Sequence, residues 1–436
     1  MHTKKDKEYG FMKNRTVIIG IDGVPYSLLK YFSEKDVMPN FNELRNNGVF
    51  KRMDSSIPEI SSVSWSSAIT GKNPGEHNIF GFTDIIPNTY TISFPNFSTL
   101  KSKPFWIKQN KEKHVVINVP QTYPVKELNG FHISGFVSLD FDKSVYPLDY
   151  IDYLNEINYR IDVDSNKAHK SIDLFLDDLF DVHEKRMKLT NKLWENYKWD
   201  NFMIVFTGSD RIEHFLMDAY KNKNHTYYDK FIEYFKRVDA SIGDILKKMN
   251  EHDNLIMLSD HGMENIKTNV NVNSVLVENE ILFLGDNYKK RYNNIEEKTQ
   301  AFALDPGRIY LNKKNKFPKG EIYSSKEKNI IDKITDIFSN LKFNGQRVVK
   351  KIFLKEDIYH GKYLENAPDI VLLPNSGFCL RAGINDKKIF EHDDIIKGMH
   401  TQDDAFLFVK NKFNQDKIPE KPCVEDIIPI MKKIRK

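Results

Sequence analysis

Short apolar runs alternate with helical patterns along the first 260 residues, and this alternation constrains the fold more than any other feature. Four of the runs consist mostly of apolar side chains, as expected of strands that are buried on both faces. They lie at 16–21, 114–119, 201–206 and 254–258, and the longest helical pattern lies at 168–198. Strands that alternate with helices form a parallel sheet that is covered on both sides. The sequence therefore predicts the α/β class, with a doubly wound, mostly parallel sheet and helices on both faces.

The pattern is more mixed in the second half of the chain, and no clear linker divides it. We therefore predict a flexible leader at 1–14 and a single domain at 15–436. Smaller inserted lobes are expected within 83–200 and 266–395, where they would cover a site on the sheet. Further strands are predicted at 307–311, 369–373 and 404–408, a helix at 326–341, and a hairpin or ordered loop at 83–104.

The composition argues against several classes of function. The 65 basic and 61 acidic residues give a formal net charge of only +4, which does not favour a nucleic-acid polymer or an anionic membrane as the main partner. Cys379 and Cys423 are the only cysteines, so we expect neither a disulfide framework nor a thiolate metal site. No apolar run reaches the roughly 20 residues of a membrane span, and residues 1–14 contain no apolar signal core. We therefore predict a cytoplasmic protein without a membrane span.

Side chains of the kind that bind metals follow several of the predicted strands, where open α/β sheets hold their ligands. Taken singly, Asp22 is more simply explained as a helix cap. Asp210 and His214 are four residues apart and would share a helix face, but a cap and a surface histidine explain them equally well. Together, three carboxylates and three imidazoles suit a pair of divalent metals. The candidate ligands are Asp22, Asp210, His214, Asp260, His261 and His400.

Ser61 is the candidate nucleophile. It lies in a segment rich in serine and proline, residues 54–67, which we interpret as a loop. A helix is predicted from Ser64 to Ile69, ended by Thr70-Gly71. A serine hydroxyl is a weak nucleophile, and coordination of its oxygen to a metal is one way to activate it. An ordinary serine-rich turn is the alternative interpretation.

The order of these pieces resembles the alkaline phosphatase superfamily, most closely its type I phosphodiesterase / nucleotide pyrophosphatase branch. The resemblance extends from residue 16 to about residue 410, and the complete ordered set is specific although each fragment alone is not. It rests on Ile19-Gly20-Ile21-Asp22-Gly23, Pro58-Glu59-Ile60-Ser61, Thr70-Gly71-Lys72-Asn73-Pro74-Gly75-Glu76-His77, Asp210-Arg211-Ile212-Glu213-His214, Ser259-Asp260-His261-Gly262-Met263 and Gly398-Met399-His400.

This resemblance implies a fold, a reaction and a role for each candidate. An alkaline-phosphatase-like core would hold two divalent ions, which we expect to be zinc, with manganese as the second choice. Ser61 would contact the metals as the nucleophile. The implied activity is metal-dependent hydrolysis of a small-molecule phosphate ester, with a phosphodiester and a phosphoryl-serine intermediate as the first choice. One ion would be bound by Asp210, His214 and His400, and the other by Asp22, Asp260 and His261.

The sequence departs from the family pattern in two places. Ser61 stands where this branch usually has threonine, which leaves the hydroxyl chemistry in place, and Ser62 is the alternative nucleophile. Phe82 stands where nucleotide pyrophosphatases have an asparagine that helps to bind a phosphoryl oxygen. Backbone amides or Asn118 are the candidates to replace that contact. A nucleotide substrate therefore does not follow from the resemblance.

Other functions remain open at this point. A phosphomonoesterase or a phosphoglycerate-mutase-like phosphotransferase of the same superfamily would use the same residues. A non-catalytic protein that binds metal or phosphate would keep the fold without turnover, although every ligand position holds a competent residue. Several aromatic side chains are expected mainly in the core rather than in a substrate pocket, namely Trp65, Phe82, Tyr90, Phe105 and Trp106.

Overall fold

The computed structural model describes residues 14–285, 292–384 and 388–435, so the predicted leader lies outside the described residues except for Asn14. The strands are β1 (Thr16–Ile21), β2 (Gly48–Met53), β3 (Asp84–Ile85), β4 (Ile92–Ser93), β5 (His114–Val119), β6 (Gly130–Ser134), β7 (Val145–Tyr146), β8 (Asn201–Phe206), β9 (Asn254–Leu258), β10 (Gly262–Asn265), β11 (Thr268–Asn271), β12 (Ala301–Leu304), β13 (Arg308–Leu311), β14 (Lys342–Phe343), β15 (Gln346–Arg347), β16 (Val349–Leu354), β17 (Ile370–Pro374), β18 (Phe378–Arg381), β19 (Phe390–Glu391), β20 (Gly398–Thr401) and β21 (Ala405–Lys410).

Helices connect and cover these strands. They are α1 (Tyr26–Glu34), α2 (Pro39–Asn47), α3 (Ser61–Thr70), α4 (Pro74–His77), α5 (Phe105–Lys108), α6 (Ile151–Glu156), α7 (Ile172–Asn196), α8 (Gly208–Leu216), α9 (Tyr228–Lys248), α10 (Val272–Glu278), α11 (Ser324–Asn340), α12 (Lys355–Ile358) and α13 (Ile427–Ile434). Among the helices that the structure describes, none combines the length and the apolar composition that crossing a membrane requires.

Eight strands form the central sheet in the order β2-β21-β9-β1-β8-β5-β6-β7. The four strands predicted first, β1, β5, β8 and β9, lie next to one another in its middle and run parallel. Strands β21 and β7 run antiparallel to their neighbours. The prediction of a mostly parallel α/β sheet is therefore confirmed.

Both faces of this sheet are buried, which explains why its central strands are apolar without alternation. Val17 and Ile19 of β1 belong to one core, which helices α1, α2 and α6–α9 cover. Ile18 belongs to the other core, under α3, α5 and α13. Successive side chains of a strand point to opposite faces, so both layers of helices receive apolar contacts from the same strand.

A four-stranded sheet, β12-β13-β17-β16, lies in the later part of the chain and has a core of its own with α10 and α11. The hairpin β3–β4 joins this core through Tyr90, whose ring stacks on Phe317 with 5.7 Å between centroids. The range 83–200, predicted to contain a lobe, also supplies β5, β6 and β7 to the central sheet.

Helix α3 begins three residues earlier than predicted, at Ser61 rather than Ser64, so the interpretation of 61–67 as loop is wrong. Two of its hydroxyls find acceptors inside the helix, since Ser66 donates to the carbonyl of Ser62 and Thr70 to that of Ser66. A hydroxyl that already has an acceptor inside the helix no longer competes with the backbone hydrogen bonds of the helix. Gly71 ends α3 as predicted, in the left-handed conformation at φ +62°. Ser61 is consequently the first residue of a helix.

Candidate metal centre

Three neighbouring parallel strands bring the candidate ligands to one edge of the central sheet. Asp22 follows β1, Asp260 and His261 follow β9, and helix α8, which follows β8, carries Asp210 and His214. His400 arrives from the opposite direction on β20, where it pairs with Met263 of β10. The structure therefore brings all six predicted side chains together, in the two groups of three that the resemblance implied.

The first group contains Asp210, His214 and His400. Asp210 Oδ1 lies 3.3 Å from Nε2 of His214 and 3.3 Å from Nε2 of His400. The two imidazole nitrogens are 3.0 Å apart. Asp210 and His214 share a face of α8 because they are four residues apart. Three ligand atoms thus converge on one point.

The second group contains Asp22, Asp260 and His261. His261 Nε2 lies 3.3 Å from Asp260 Oδ2 and 3.9 Å from Asp22 Oδ1. The same nitrogen is 3.9 Å from Asp210 Oδ1, and the rings of His261 and His400 stack at 3.6 Å. The two groups are therefore adjacent parts of one site.

All three histidines have the same orientation. Nδ1 faces a backbone carbonyl in each case, that of Gly398 for His214, of Gly262 for His261 and of Glu59 for His400. These carbonyls require a proton on Nδ1, so Nε2 of the neutral ring presents a lone pair to the site. Lone pairs that face one another and carboxylate oxygens have no proton to share. A cation between them resolves this arrangement.

The carboxylates show the same need. One oxygen of each accepts a hydrogen bond. Trp65 donates its indole N–H to Asp22, Arg211 donates its guanidinium N–H to Asp210, and Gly23 donates its backbone N–H to Asp260. The other oxygen of each is buried and has no hydrogen-bond partner among the described residues. Unsatisfied buried acceptors are costly, and divalent cations satisfy them. The two groups are therefore consistent with a site for two divalent cations.

The electrostatics agree with an excess of negative charge. Burial, followed by repulsion from Asp260 and Asp210, raises the pKa of Asp22 well above its ordinary value. Burial also raises the pKa of Asp260 to about 6. Burial acts in the same direction on Asp210, but His214 and His400 in their protonated forms, together with Arg211, outweigh it and hold the pKa of Asp210 well below its ordinary value. A bound cation would oppose the rise at Asp22 and Asp260.

Gly23 allows the close packing of this centre. Its φ of +75° is unfavourable for residues with a side chain. A Cβ atom at this position would lie 3.1 Å from both Cα and Cβ of Asp210. A glycine after Asp22 therefore lets β1 turn away while α8 comes close.

Ser61 lies beside the second ligand group, with Oγ 3.1 Å from His261 Nε2. It is almost fully buried, at 2% exposure. The alternative, Ser62, is fully buried and its hydroxyl has no hydrogen-bond partner among the described residues. Contact with the predicted ligands therefore favours Ser61. As the first residue of α3, it also places the unpaired N–H groups of the first helical turn beside the site.

A cavity of about 330 Å³ opens beside the first group, and His214 and His400 contribute to its wall. Phe82 lines this cavity and packs against Phe136 with 5.9 Å between ring centroids. Ile60 and Leu380 add further apolar surface. The remaining candidate aromatic side chains lie in the hydrophobic cores, as expected, namely Trp65, Tyr90, Phe105 and Trp106.

Asn118 does not replace the missing asparagine of the family pattern. Its amide group donates to the carbonyls of Ser134 and Ile161, and its oxygen accepts from Tyr159 and Arg186. Both ends of the side chain are thus occupied inside the protein. The suggestion that Asn118 binds a phosphoryl oxygen is therefore wrong.

Sequence reasoning missed three polar side chains around the centre. Trp65 bonds Asp22, and Arg211 joins Asp210 to Asp162. Glu213 is fully buried, neither of its carboxylate oxygens has a partner among the described residues, and burial raises its pKa well above the ordinary value. The helical spacing of Glu213 from Asp210 was the available signal for that residue. The contact of Trp65 with Asp22 crosses 43 positions and left no local signal.

Comparison with known proteins agrees with this geometry. The family model of the type I phosphodiesterase / nucleotide pyrophosphatase matches residues 16–403. A search of curated proteins gave no match. Crystal structures of phosphonoacetate hydrolase from Sinorhizobium meliloti 1021, in complex with phosphonoformate or phosphonoacetate, superpose with a TM-score of 0.65. The identities are 14% and 13%, over 97% of this chain and 96% of that chain.

A second similar structure is murine ectonucleotide pyrophosphatase / phosphodiesterase 5, in an inactive form in complex with AMP, with a TM-score of 0.56. The identity is 13%, over 97% of this chain and 95% of that chain. These likenesses establish an alkaline-phosphatase-like fold, and the family match extends over most of the sequence. The chain therefore belongs to the type I phosphodiesterase / nucleotide pyrophosphatase family of hydrolases, within the alkaline phosphatase superfamily.

Proposed function

We propose that this protein is a metal-dependent phosphodiesterase that acts through a phosphoryl-serine intermediate. The observation that carries the proposal is the position of Ser61 Oγ, 3.1 Å from Nε2 of His261, a member of the second ligand group that also lies 3.9 Å from Asp210 of the first. A hydroxyl beside two candidate metal sites is the arrangement expected of an activated nucleophile. Family membership supports hydrolysis of a phosphate ester.

The metal roles follow from the donor sets. Asp210, His214 and His400 would hold one divalent ion, and Asp22, Asp260 and His261 the other. Such ions lower the pKa of a serine hydroxyl and offset the charge that develops on the phosphoryl oxygens. Ser61 would attack phosphorus and release the alcohol of the ester, and water would then hydrolyse the phosphoryl-serine.

The N-terminus of α3 supports the contact with phosphoryl oxygen that Phe82 cannot provide. Phe82 has no hydrogen-bond donor on its side chain. The backbone N–H groups of Ser61 and Ser62 belong to the first turn of a ten-residue helix, and no acceptor faces them in the described part of the chain. Helix N-termini bind phosphate oxygens through such groups. The substrate phosphoryl group would then lie between these N–H groups and the metals.

The cavity beside His214 and His400 favours a diester over a monoester. A diester has a second substituent on phosphorus, and this substituent needs a place next to the metals. About 330 Å³ of space, lined in part by Ile60, Phe82 and Leu380, lies where that group would fit. Pockets of this size and apolar character hold small organic groups.

The segment between Ser61 and Asp210 argues against the mutase alternative. Phosphoglycerate mutases of this superfamily place a large transfer domain after the serine. Here the corresponding segment supplies β5–β8 to the central sheet, and the hairpin β3–β4 joins the smaller sheet's core. A phosphotransferase of that type is therefore the weaker candidate.

Hydrolysis of two model esters tests the proposal. With zinc or manganese present, we expect the protein to cleave bis-p-nitrophenyl phosphate faster than p-nitrophenyl phosphate, because only the diester has a second substituent that can occupy the cavity in addition to the leaving group. The initial rates of p-nitrophenolate release measure the preference. A preference for the monoester would replace the proposal with a phosphomonoesterase. Two bound metals without cleavage of either ester would contradict general phosphodiesterase activity.

A further inference from the structure

Trp65 makes a hydrogen bond that connects the nucleophile helix to a candidate metal ligand. Its indole Nε1–H donates to Asp22 Oδ2 at 2.9 Å, and both residues are fully buried. The other carboxylate oxygen, Oδ1, faces His261 Nε2 at 3.9 Å. The bond therefore holds one oxygen of Asp22 while the other remains directed into the second ligand group.

The position of Trp65 on α3 adds to this connection. It lies four residues after Ser61, which puts both side chains on the same face of the helix. Ser61 reaches His261, and Trp65 reaches Asp22. One helix face thus contacts two of the three members of the second group.

Packing fixes the direction of the indole. At Gly20 of β1, a Cβ atom would lie 2.4 Å from Cη2 and 3.2 Å from Cζ2 of Trp65, so the ring fills the space that a side chain would take. Trp65 is fully buried in the core under α3. A ring that is enclosed in this way cannot turn its N–H away from Asp22 without displacing its neighbours.

We propose that Trp65 is a positioning residue that orients Asp22 toward a cation bound by Asp22, Asp260 and His261. Hydrogen bonds to ligating carboxylates fix their orientation, and loss of such partners typically costs roughly 10- to 100-fold in metal affinity or activity. The inference extends the metal-binding part of the proposed function and does not depend on which ester the protein cleaves.

The variant Trp65→Phe tests this role, with Trp106→Phe as the matched control. Both tryptophans are almost fully buried in the same core, and Trp106 contacts neither ligand group through any hydrogen bond that the structure describes. Zinc affinities of the full-length proteins are measured by competition with a chromophoric chelator. We expect one of the two zinc affinities to fall roughly 10- to 100-fold in Trp65→Phe, and neither to fall in Trp106→Phe. Unchanged zinc affinities in Trp65→Phe, or equal losses in both variants, would overturn the proposal.

Indole fluorescence of Trp106→Phe provides a readout that remains valid even if Trp65→Phe does not fold. Zinc bound next to Asp22 changes the charge that the Trp65 N–H faces, so we expect a zinc-dependent shift in tryptophan emission. The shift should persist in Trp106→Phe and disappear in a folded Trp65→Phe. If zinc binds to Trp106→Phe without any change in emission, Trp65 does not sense the metal at Asp22 and the proposal fails.

Discussion

Replacement of Ser61 by alanine is expected to abolish ester hydrolysis while both metals remain bound. The hydroxyl is the only part of the Ser61 side chain that the proposed reaction uses, and its removal leaves the backbone N–H and all six candidate ligands in place. Loss of a serine nucleophile lowers kcat by roughly 10⁴-fold or more in enzymes that use one. The rate of bis-p-nitrophenyl phosphate cleavage by Ser61→Ala, beside its zinc content, measures the effect.

Ser62→Ala is the matched control for this variant. Ser62 is the next residue of α3, and its buried hydroxyl has no partner among the described residues, so its removal leaves no hydrogen bond unmade. We expect activity within a few-fold of the wild type. Comparable losses in both variants would point to a disturbed helix instead of a lost nucleophile, and full loss in Ser62→Ala alone would transfer the role to that residue.

Asp260→Asn is expected to stabilise the metal-free protein and to lose this advantage when metal is bound. In the metal-free protein, burial raises the pKa of Asp260 from 3.8 to about 6, so the folded state binds a proton more tightly than the unfolded state does. Its contribution to stability is therefore present below pH 3.8 and is lost as the pH rises through 6. Neutral asparagine avoids this loss and keeps an oxygen for the Gly23 N–H. We expect it to raise the free energy of unfolding on the order of 2 kcal/mol at pH 7.5 and by little near pH 4.

With metal bound, the same substitution removes a charged ligand. A 100-fold weaker affinity lowers the metal's contribution by up to about 2.7 kcal/mol, which is enough to cancel most or all of the gain seen without metal. Urea unfolding at pH 7.5, with chelator and with excess zinc, measures the gain in both conditions. A gain as large with zinc as with chelator would mean that Asp260 does not bind the ion. If Asp260→Asn raises the free energy of unfolding as much near pH 4 as at pH 7.5, the charge of Asp260 is not the cause of the gain.

The central strands were predictable because burial on both faces leaves a plain signal. The bounds of β1, β5, β8 and β9 agree with the apolar runs of the sequence. Strand β2 gave no such run, because it lies at the edge of the sheet and carries Lys51 and Arg52. Strand order was also beyond local reasoning, because the pairing of β1 with both β8 and β9 depends on contacts distant in sequence.

The candidate ligands were predictable from their positions after strands and from the order of the motifs. Their division into two groups came from the family resemblance, and the distances agree with it. The start of α3 was not predictable, because a serine-rich composition is typical of turns and only the finished helix supplies acceptors for the hydroxyls of Ser66 and Thr70. The bond between Trp65 and Asp22 required the completed packing of α3 on β1.

The central claim is that two divalent ions bind at the ends of β1, β8 and β9. A crystal structure of the protein with zinc, with anomalous differences measured at the zinc edge, tests it most directly. The account predicts two peaks roughly 4 Å apart. One should lie among Asp210, His214 and His400 and the other among Asp22, Asp260 and His261. A single peak, or none within reach of these six side chains, would contradict the two-metal mechanism.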